Sequence, residues 1–238
     1  MIVDDPALRD RAKVFRDRDH AGAVLAELLA PRFERRRDAA VFAIPAGGVP
    51  VAAPIARRLE LPLDVAVVSK ITLPWNTEAG YGAVAFDGSV RLNRPLLRDL
   101  GLTPEVVEEG VARTRAKVAR RESVLRRGRP FTAVEGYHVV VVDDGLASGF
   151  TLRAAVAALE GAGASAISVA VPTAHAVAAR EVAESVADLY CPNLRGGRSF
   201  AVADAYATWS DVGEDTVAAI LASSSPPPSM PFNQRQRP

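Results

Sequence analysis

The stretch Val139-Val140-Val141-Val142-Asp143-Asp144-Gly145-Leu146-Ala147-Ser148-Gly149-Phe150-Thr151 restricts the fold of this chain more than any other. Four valines in a row do not alternate as a half-buried strand does. They suit a parallel strand covered on both faces. The aspartates follow where the chain leaves the sheet, so their side chains need not point to opposite faces. A turn of small residues and hydroxyls comes next, and residues 152–160 read as a strong helix whose positive dipole end faces that turn. An anion fits the turn while the acids bind a diol, a combination suited to a phosphorylated ribose. The alternative is a structural strand that ends in an ordinary Asp-Gly turn.

Elsewhere the apolar pattern alternates between strand and helix. Helices are expected over residues 21–29, 51–59, 105–127, 176–184 and 213–221, and core strands over 39–44, 63–68, 166–171 and 186–191. Thr103 and Pro104 provide an N-cap and a first helical residue for the long charged helix. Residues 83–86 and 90–92 read as a small antiparallel pair across the turn Asp87-Gly88-Ser89. The pattern predicts an α/β fold: a single domain over residues 1–222, with a mainly parallel central sheet flanked by helices and ligands at the carboxyl ends of its strands. Residues 223–238, rich in Ser and Pro, are expected to form a flexible tail.

Composition narrows the function classes. A length of 238 residues with 49% hydrophobic residues can bury one good core. No stretch is apolar enough to span a bilayer, and the acidic start lacks the apolar core of a signal peptide. The single cysteine, Cys191, excludes an internal disulfide and agrees with a cytoplasmic location. A net charge of +1 offers no general field for nucleic acid. The three histidines, His20, His138 and His175, are scattered and lack zinc-ligand spacing. The helix over 105–127 mixes both signs, with Glu109 and Arg113, and Glu122 and Arg126, in supporting i,i+4 order. It reads as a solvated face or the edge of a dimer interface.

Two further motifs sit near strand ends. Ile44-Pro45-Ala46-Gly47-Gly48-Val49-Pro50 closes one core strand and opens a helix, and paired glycines permit close backbone approach and unusual backbone angles. Val67-Val68-Ser69-Lys70 places a mobile cation at a strand's carboxyl end. The following residues 71–82 are rich in loop formers and could fold over a ligand. Trp75 in that segment either stacks on a planar acceptor or, the preferred reading, packs against the domain. Tyr206 and Trp209 either help close a pocket or pack.

These motifs resemble type I phosphoribosyltransferases, in a poorly characterised branch, over about residues 15–221. The most specific part is the acidic strand end with its Ser-Gly-x-Thr loop. The resemblance implies a small hood over the sheet, a possible homodimer, and transfer of the 5-phosphoribosyl group of phosphoribosyl pyrophosphate (PRPP) to a small-molecule acceptor. It gives Asp143 and Asp144 the ribose hydroxyls and Mg²⁺, and gives Gly145, Leu146, Ala147, Ser148, Gly149, Phe150 and Thr151 the 5′-phosphate. Ala46, Gly47, Gly48 and Lys70 would meet the pyrophosphate. Ala46 stands where that branch usually has arginine, Ser148 where threonine is commoner, and Ala147 where some relatives carry a carboxylate base. Two rivals stay open: a PRPP- or nucleotide-binding regulator without transfer, and a sugar-phosphate hydrolase with a carboxylate nucleophile.

Overall fold

Val139, Val140, Val141 and Val142 have no exposed surface, because their strand β7 (His138–Val142) runs through the interior of a six-stranded sheet. The computed structural model describes residues 1–129, 131, 133–197 and 199–224. Across the sheet the strands are β1 (Ile2–Val3), β10 (Asp188–Tyr190), β8 (Ala166–Ala170), β7, β2 (Ala39–Ala43) and β3 (Leu63–Val65), all parallel. Both faces are covered. Val140 and Val142 pack with α1 (Arg18–Phe33) and α2 (Gly48–Leu59), and Val139 and Val141 with α5 (Phe150–Gly161) and α6 (Ala176–Ala183). Each fully buried valine contributes roughly 1.5–3 kcal/mol of apolar burial, so the run is a main support of the fold.

The order of strands determines where a ligand can enter. From β2 the chain winds outward through α2 to β3; from β7 it winds the opposite way through α5, β8 and α6 to β10. The switch therefore lies between β2 and β7, and a crevice opens beyond their carboxyl ends. The Gly47-Gly48 turn and the Asp143-Asp144 turn both emerge there.

Four regions depart from the sequence expectation. The apolar run over 63–68 is two strands, because β3 ends at Val65 and β4 (Val68–Leu73) belongs to a different sheet, antiparallel to β5 (Asn76–Ala85). Continuous burial, seen over all of residues 63–68, reports an interior but not which sheet the strand joins. Residues 71–82 form most of a hairpin rather than an open loop, and β6 (Val90–Leu92) completes the second sheet in the expected antiparallel pairing. Trp75 lies at the hairpin turn and is 65% exposed, so it does not pack against the domain. Arg126, expected on a solvated face or the edge of a dimer interface, is buried at the end of α4 (Pro104–Arg126). It pairs with Asp64 at 2.6 Å and Glu122 at 2.8 Å, tying the helix to β3.

The small α3 (Arg94–Asp99) leads into α4, which begins at Pro104 after Thr103 as expected, although the Thr103 side chain makes no capping hydrogen bond. Beyond the main sheet, β9 (Thr173–His175) pairs in parallel with β11 (Asn193–Arg195), and Phe15 bridges to Tyr206. Together these form the small hood. The last helix, α7 (Glu214–Ser223), packs on α2 and α4. The expected tail beyond residue 224 lies outside the described residues. Among the described residues no helix is long and apolar enough to cross a membrane.

Candidate active site

The acid edge forms because β7 ends at Val142; Asp143 still donates its N–H to the β8 Ala170 carbonyl at 3.4 Å, and the chain leaves the sheet at Asp144. The Asp144 N–H donates to Asp143 Oδ1 at 2.8 Å, which orients the first carboxyl group from its neighbour's backbone. Burial, and then the adjacent Asp144 charge, push Asp143 well above the usual carboxylate range, with Lys70 and Arg18 opposing. Asp144 is raised as well, chiefly by burial, while the Arg18 guanidinium pulls in the other direction. Two desolvated acids side by side form a site that a cation or a hydroxyl-rich ligand would stabilise.

The turn after the acids holds its shape through local contacts. A Cβ on Gly145 would stand 2.4 Å from Val202 Cγ1, so the backbone passes directly beneath the hood. Leu146 is buried and stitched to β9: its N–H donates to the Thr173 carbonyl at 2.9 Å, and its carbonyl accepts from the His175 N–H at 2.9 Å. Gly149 has φ +70°, a left-handed conformation that glycine adopts without Cβ strain, and it caps α5. Ala147 and Ser148 are exposed, and no hydrogen bond among the described residues takes the N–H groups of Ala147, Ser148 or Gly149. These donors and the first turn of α5, with Phe150 and Thr151, make an amide cup at a helix N-terminus. Such a cup favours an anion.

A cleft of about 200 Å³ is lined by Lys70, Asp143, Asp144, Gly145, Leu146, Ala147, Ser148, Gly149, Phe150, Thr151, Leu152 and Val202. The structure thus brings together Lys70, the acids and the whole loop from Gly145 to Thr151. Lys70 arrives from mid-strand of β4 rather than from a strand end; it is exposed between buried Ser69 and Ile71. Leu146 shapes the cup through its buried side chain, since its own N–H is committed.

Ala46, Gly47 and Gly48 stand behind the acid edge and do not line that cleft. The Pro45–Ala46 peptide bond is cis, and neither glycine has positive φ. What the glycines permit is close packing. A Cβ on Gly47 would lie 1.9 Å from Asp144 Oδ2, and one on Gly48 would lie 2.6 Å from the Val142 carbonyl oxygen. The Gly48 N–H donates to the Ile44 carbonyl at 3.0 Å, so among these residues the N–H groups of Ala46 and Gly47 are the candidate donors toward a ligand. A larger cavity, about 770 Å³, lies away from the acids between α2 and α7. It borders Ser223 and Ser224, next to residues outside the described set, and carries no comparable chemistry.

Sequence reasoning missed Arg18. Its Nε and Nη2 both lie 2.9 Å from Asp144 Oδ2. Its Nη1 donates to the Ser210 carbonyl at 2.8 Å, and the guanidinium sits 3.8 Å from the Trp209 ring centre. Tyr206, whose hydroxyl stays protonated because burial raises it, donates to the Asp144 carbonyl at 2.6 Å. The one available signal was the charged run across the start of α1, which contains Arg16, Asp17, Arg18 and Asp19. Nothing in that run distinguishes Arg18 from Arg16, which pairs with Asp17 at an exposed position instead.

The chain matches the phosphoribosyl transferase domain family over residues 17–203. Two Mycobacterium tuberculosis proteins, from strains H37Rv and CDC 1551, carry the provisional name phosphoribosyl transferase; each is 35% identical over 212 residues, 88% of this chain. The chain spans about half the length of these curated relatives, 46%. The crystal structure of TT1426 from Thermus thermophilus is similar with a TM-score of 0.70 at 37% identity, over 89% of this chain and 99% of that one.

Proposed function

We propose, from the premise that this chain belongs to the phosphoribosyl transferase domain family, that it transfers the 5-phosphoribosyl group of PRPP to a small-molecule acceptor and releases pyrophosphate. The observation that carries this reading is the single cleft shared by Lys70, the acid pair and the amide cup. A cation, a diol-binding edge and an anion cradle at one strand-end crevice match the three parts of that substrate. The cleft's 200 Å³ is below the range of about 300–1,000 Å³ for whole small-molecule pockets, which suits the phosphorylated sugar alone.

The 5′-phosphate would sit on the Ala147, Ser148 and Gly149 N–H groups and the Ser148 and Thr151 hydroxyls, at the positive end of α5. Asp143 and Asp144 would define the ribose edge. Lys70, with the Ala46 and Gly47 N–H groups, would balance charge growing on the departing pyrophosphate. As the C1′–oxygen bond to pyrophosphate breaks and the acceptor bonds to C1′, the sugar passes through an oxocarbenium-like state. The protein's part is positioning and charge compensation. The β4–β5 hairpin would cover the reacting sugar and exclude water, which would otherwise capture it. With Ala147 in the loop, no carboxylate there can accept the acceptor's proton.

Magnesium fits this donor set: two adjacent, desolvated carboxyl groups offer hard oxygens without a third protein acid, and Mg²⁺ is usually held by one or two carboxylates with phosphate oxygens and water. Asp143 and Asp144 would hold it, and when bound it would neutralise charge on the pyrophosphate oxygens.

The test is PRPP titration with Mg²⁺ by calorimetry, followed by an acceptor screen that reads pyrophosphate. Asp143→Asn with Asp144→Asn is expected to abolish PRPP turnover while the far-ultraviolet spectrum stays native; near-normal turnover in that double variant sinks the assignment. Ala46 and Ala147 favour a second reading, binding without transfer. Tight PRPP binding with no pyrophosphate released across a broad acceptor panel would select it.

A further inference from the structure

Asp143 and Asp144 are neighbours in sequence but not in circumstance. The Asp144 carboxylate is already engaged, by two Arg18 nitrogens at 2.9 Å on one side and by the closely packed Gly47 backbone on the other. Both partners are largely covered, with 11% of the Arg18 side chain and 18% of the Asp144 side chain exposed. Arg18 is held in turn by the Ser210 carbonyl at 2.8 Å and the Trp209 ring at 3.8 Å. Tyr206 secures the Asp144 backbone from the same segment. Asp143, by contrast, forms no ion pair among the described residues; its Oδ1 accepts from the Asp144 N–H.

A guanidinium is a planar fork whose contacts form as a set. Both Arg18 contacts fall on Oδ2; for Asp144 to turn that oxygen toward a ligand, Arg18 would have to give up its carboxylate contacts in a covered site where the Trp209 face and the Ser210 carbonyl hold it in place. No such obstacle confronts Asp143. We infer that Arg18 is a positioning residue of this cleft: it clamps Asp144 through Oδ2, joining α1, the Gly47 turn and the 206–210 segment, so that Asp144 presents a fixed edge and Asp143 is the carboxylate free to turn onto the ligand and carry the larger share of its binding. This inference rests on the PRPP reading and deepens it by dividing the work of the two acids.

The experiment titrates PRPP with Mg²⁺ into the wild type and the Arg18→Lys, Arg18→Gln, Asp143→Asn, Asp144→Asn and Arg18→Gln/Asp144→Asn variants, and melts each protein without ligand. Asp143→Asn is expected to weaken binding by more than about 100-fold, since it removes a charge-assisted ligand contact. Arg18→Gln and Asp144→Asn should each cost about tenfold, and the double variant no more than either single one, because both break one clamp. Arg18→Lys should recover part of the affinity, since it keeps the charge and loses the fork. A purely structural Arg18 would instead lower the melting temperature and leave the affinity of the folded protein unchanged. The division of labour is overturned if Asp144→Asn harms binding as much as Asp143→Asn, if the two clamp losses add, or if Arg18→Gln tightens binding. A wild type that binds no PRPP overturns the proposed function and the ligand role of Asp143. In that case the clamp is still decided by the ligand-free melts, where additive shifts for Arg18→Gln and Asp144→Asn count against it and non-additive shifts support it.

Discussion

Asp143, proposed above to bind the ligand, illustrates how a buried acid can work against the stability of its own fold. Burial and the adjacent Asp144 raise its proton affinity, so the folded chain takes up a proton that the unfolded chain does not. Between the ordinary aspartate value and the raised one, the folded state binds more protons, and stability falls as pH rises through that window. Above the window the penalty is complete; below the ordinary value it is absent. Asp143→Asn keeps the Oδ1 acceptor for the Asp144 N–H and removes the charge. In metal-free buffer it should therefore stabilise the protein by about 1–2 kcal/mol at pH 8, a gain typical of relieving a functional site. The advantage should shrink toward pH 4. Melting temperatures across pH, with a chelator present, check this, and a variant less stable than the wild type at pH 8 contradicts it. At this scale the identity of the acids was legible in the sequence, because they directly follow an apolar run. Their unequal partnerships were not, because Arg18 lies 126 residues away.

At the scale of elements, the strand–turn–helix from β7 to α5 was readable because all of its physics is local. Apolar continuity makes the buried strand, the acids end it, and a glycine in the left-handed region starts the helix. Gly149→Ala tests the last of these. Its φ of +70° disfavours any side chain, and an added Cβ would meet Val182 Cγ2 at 3.0 Å and Leu146 Cδ1 at 3.2 Å. The left-handed conformation alone costs a non-glycine residue roughly 1–2 kcal/mol. Denaturant melts should show at least that loss, with PRPP affinity reduced as the cup deforms. A loss near zero would mean the turn re-forms without its left-handed residue. The β3–β4 region was not readable on the same terms. Residues 63–68 are buried throughout, and burial gives no sign that the chain changes sheets after Val65. The sequence of the glycine pair suggests close backbone approach to a ligand; the fold adds that Gly47 and Gly48 make room for Asp144 and the Val142 carbonyl.

Over the whole molecule, the hood joins the two sides of the parallel sheet's switch point through segments distant in sequence. Lys13 and Phe15 donate N–H groups to the Asp204 and Ala205 carbonyls at 2.8 and 3.0 Å, and Ala207 donates back to the Phe15 carbonyl at 2.7 Å. Tyr206 extends this seam into the site through the Asp144 carbonyl. Tyr206→Phe removes that donor and leaves a carbonyl under a hydrophobic ring, which should cost about 1–2 kcal/mol. A lower denaturant midpoint with an unchanged slope would identify a pure stability effect. Weaker PRPP binding in the same variant would show that the seam also positions the acid edge, and an unaltered midpoint would count against the hydrogen bond. The strand, acids, turn and helix of residues 139–151 follow from the order of residues alone, since apolar burial, strand exit, glycine geometry and helix dipole act within a few residues of one another. Which acid is held and which left open, and what the glycines accommodate, depended on contacts between segments up to 192 residues apart. Only the closed fold brings those groups within hydrogen-bonding distance, and one guanidinium can then make two neighbouring carboxylates unlike.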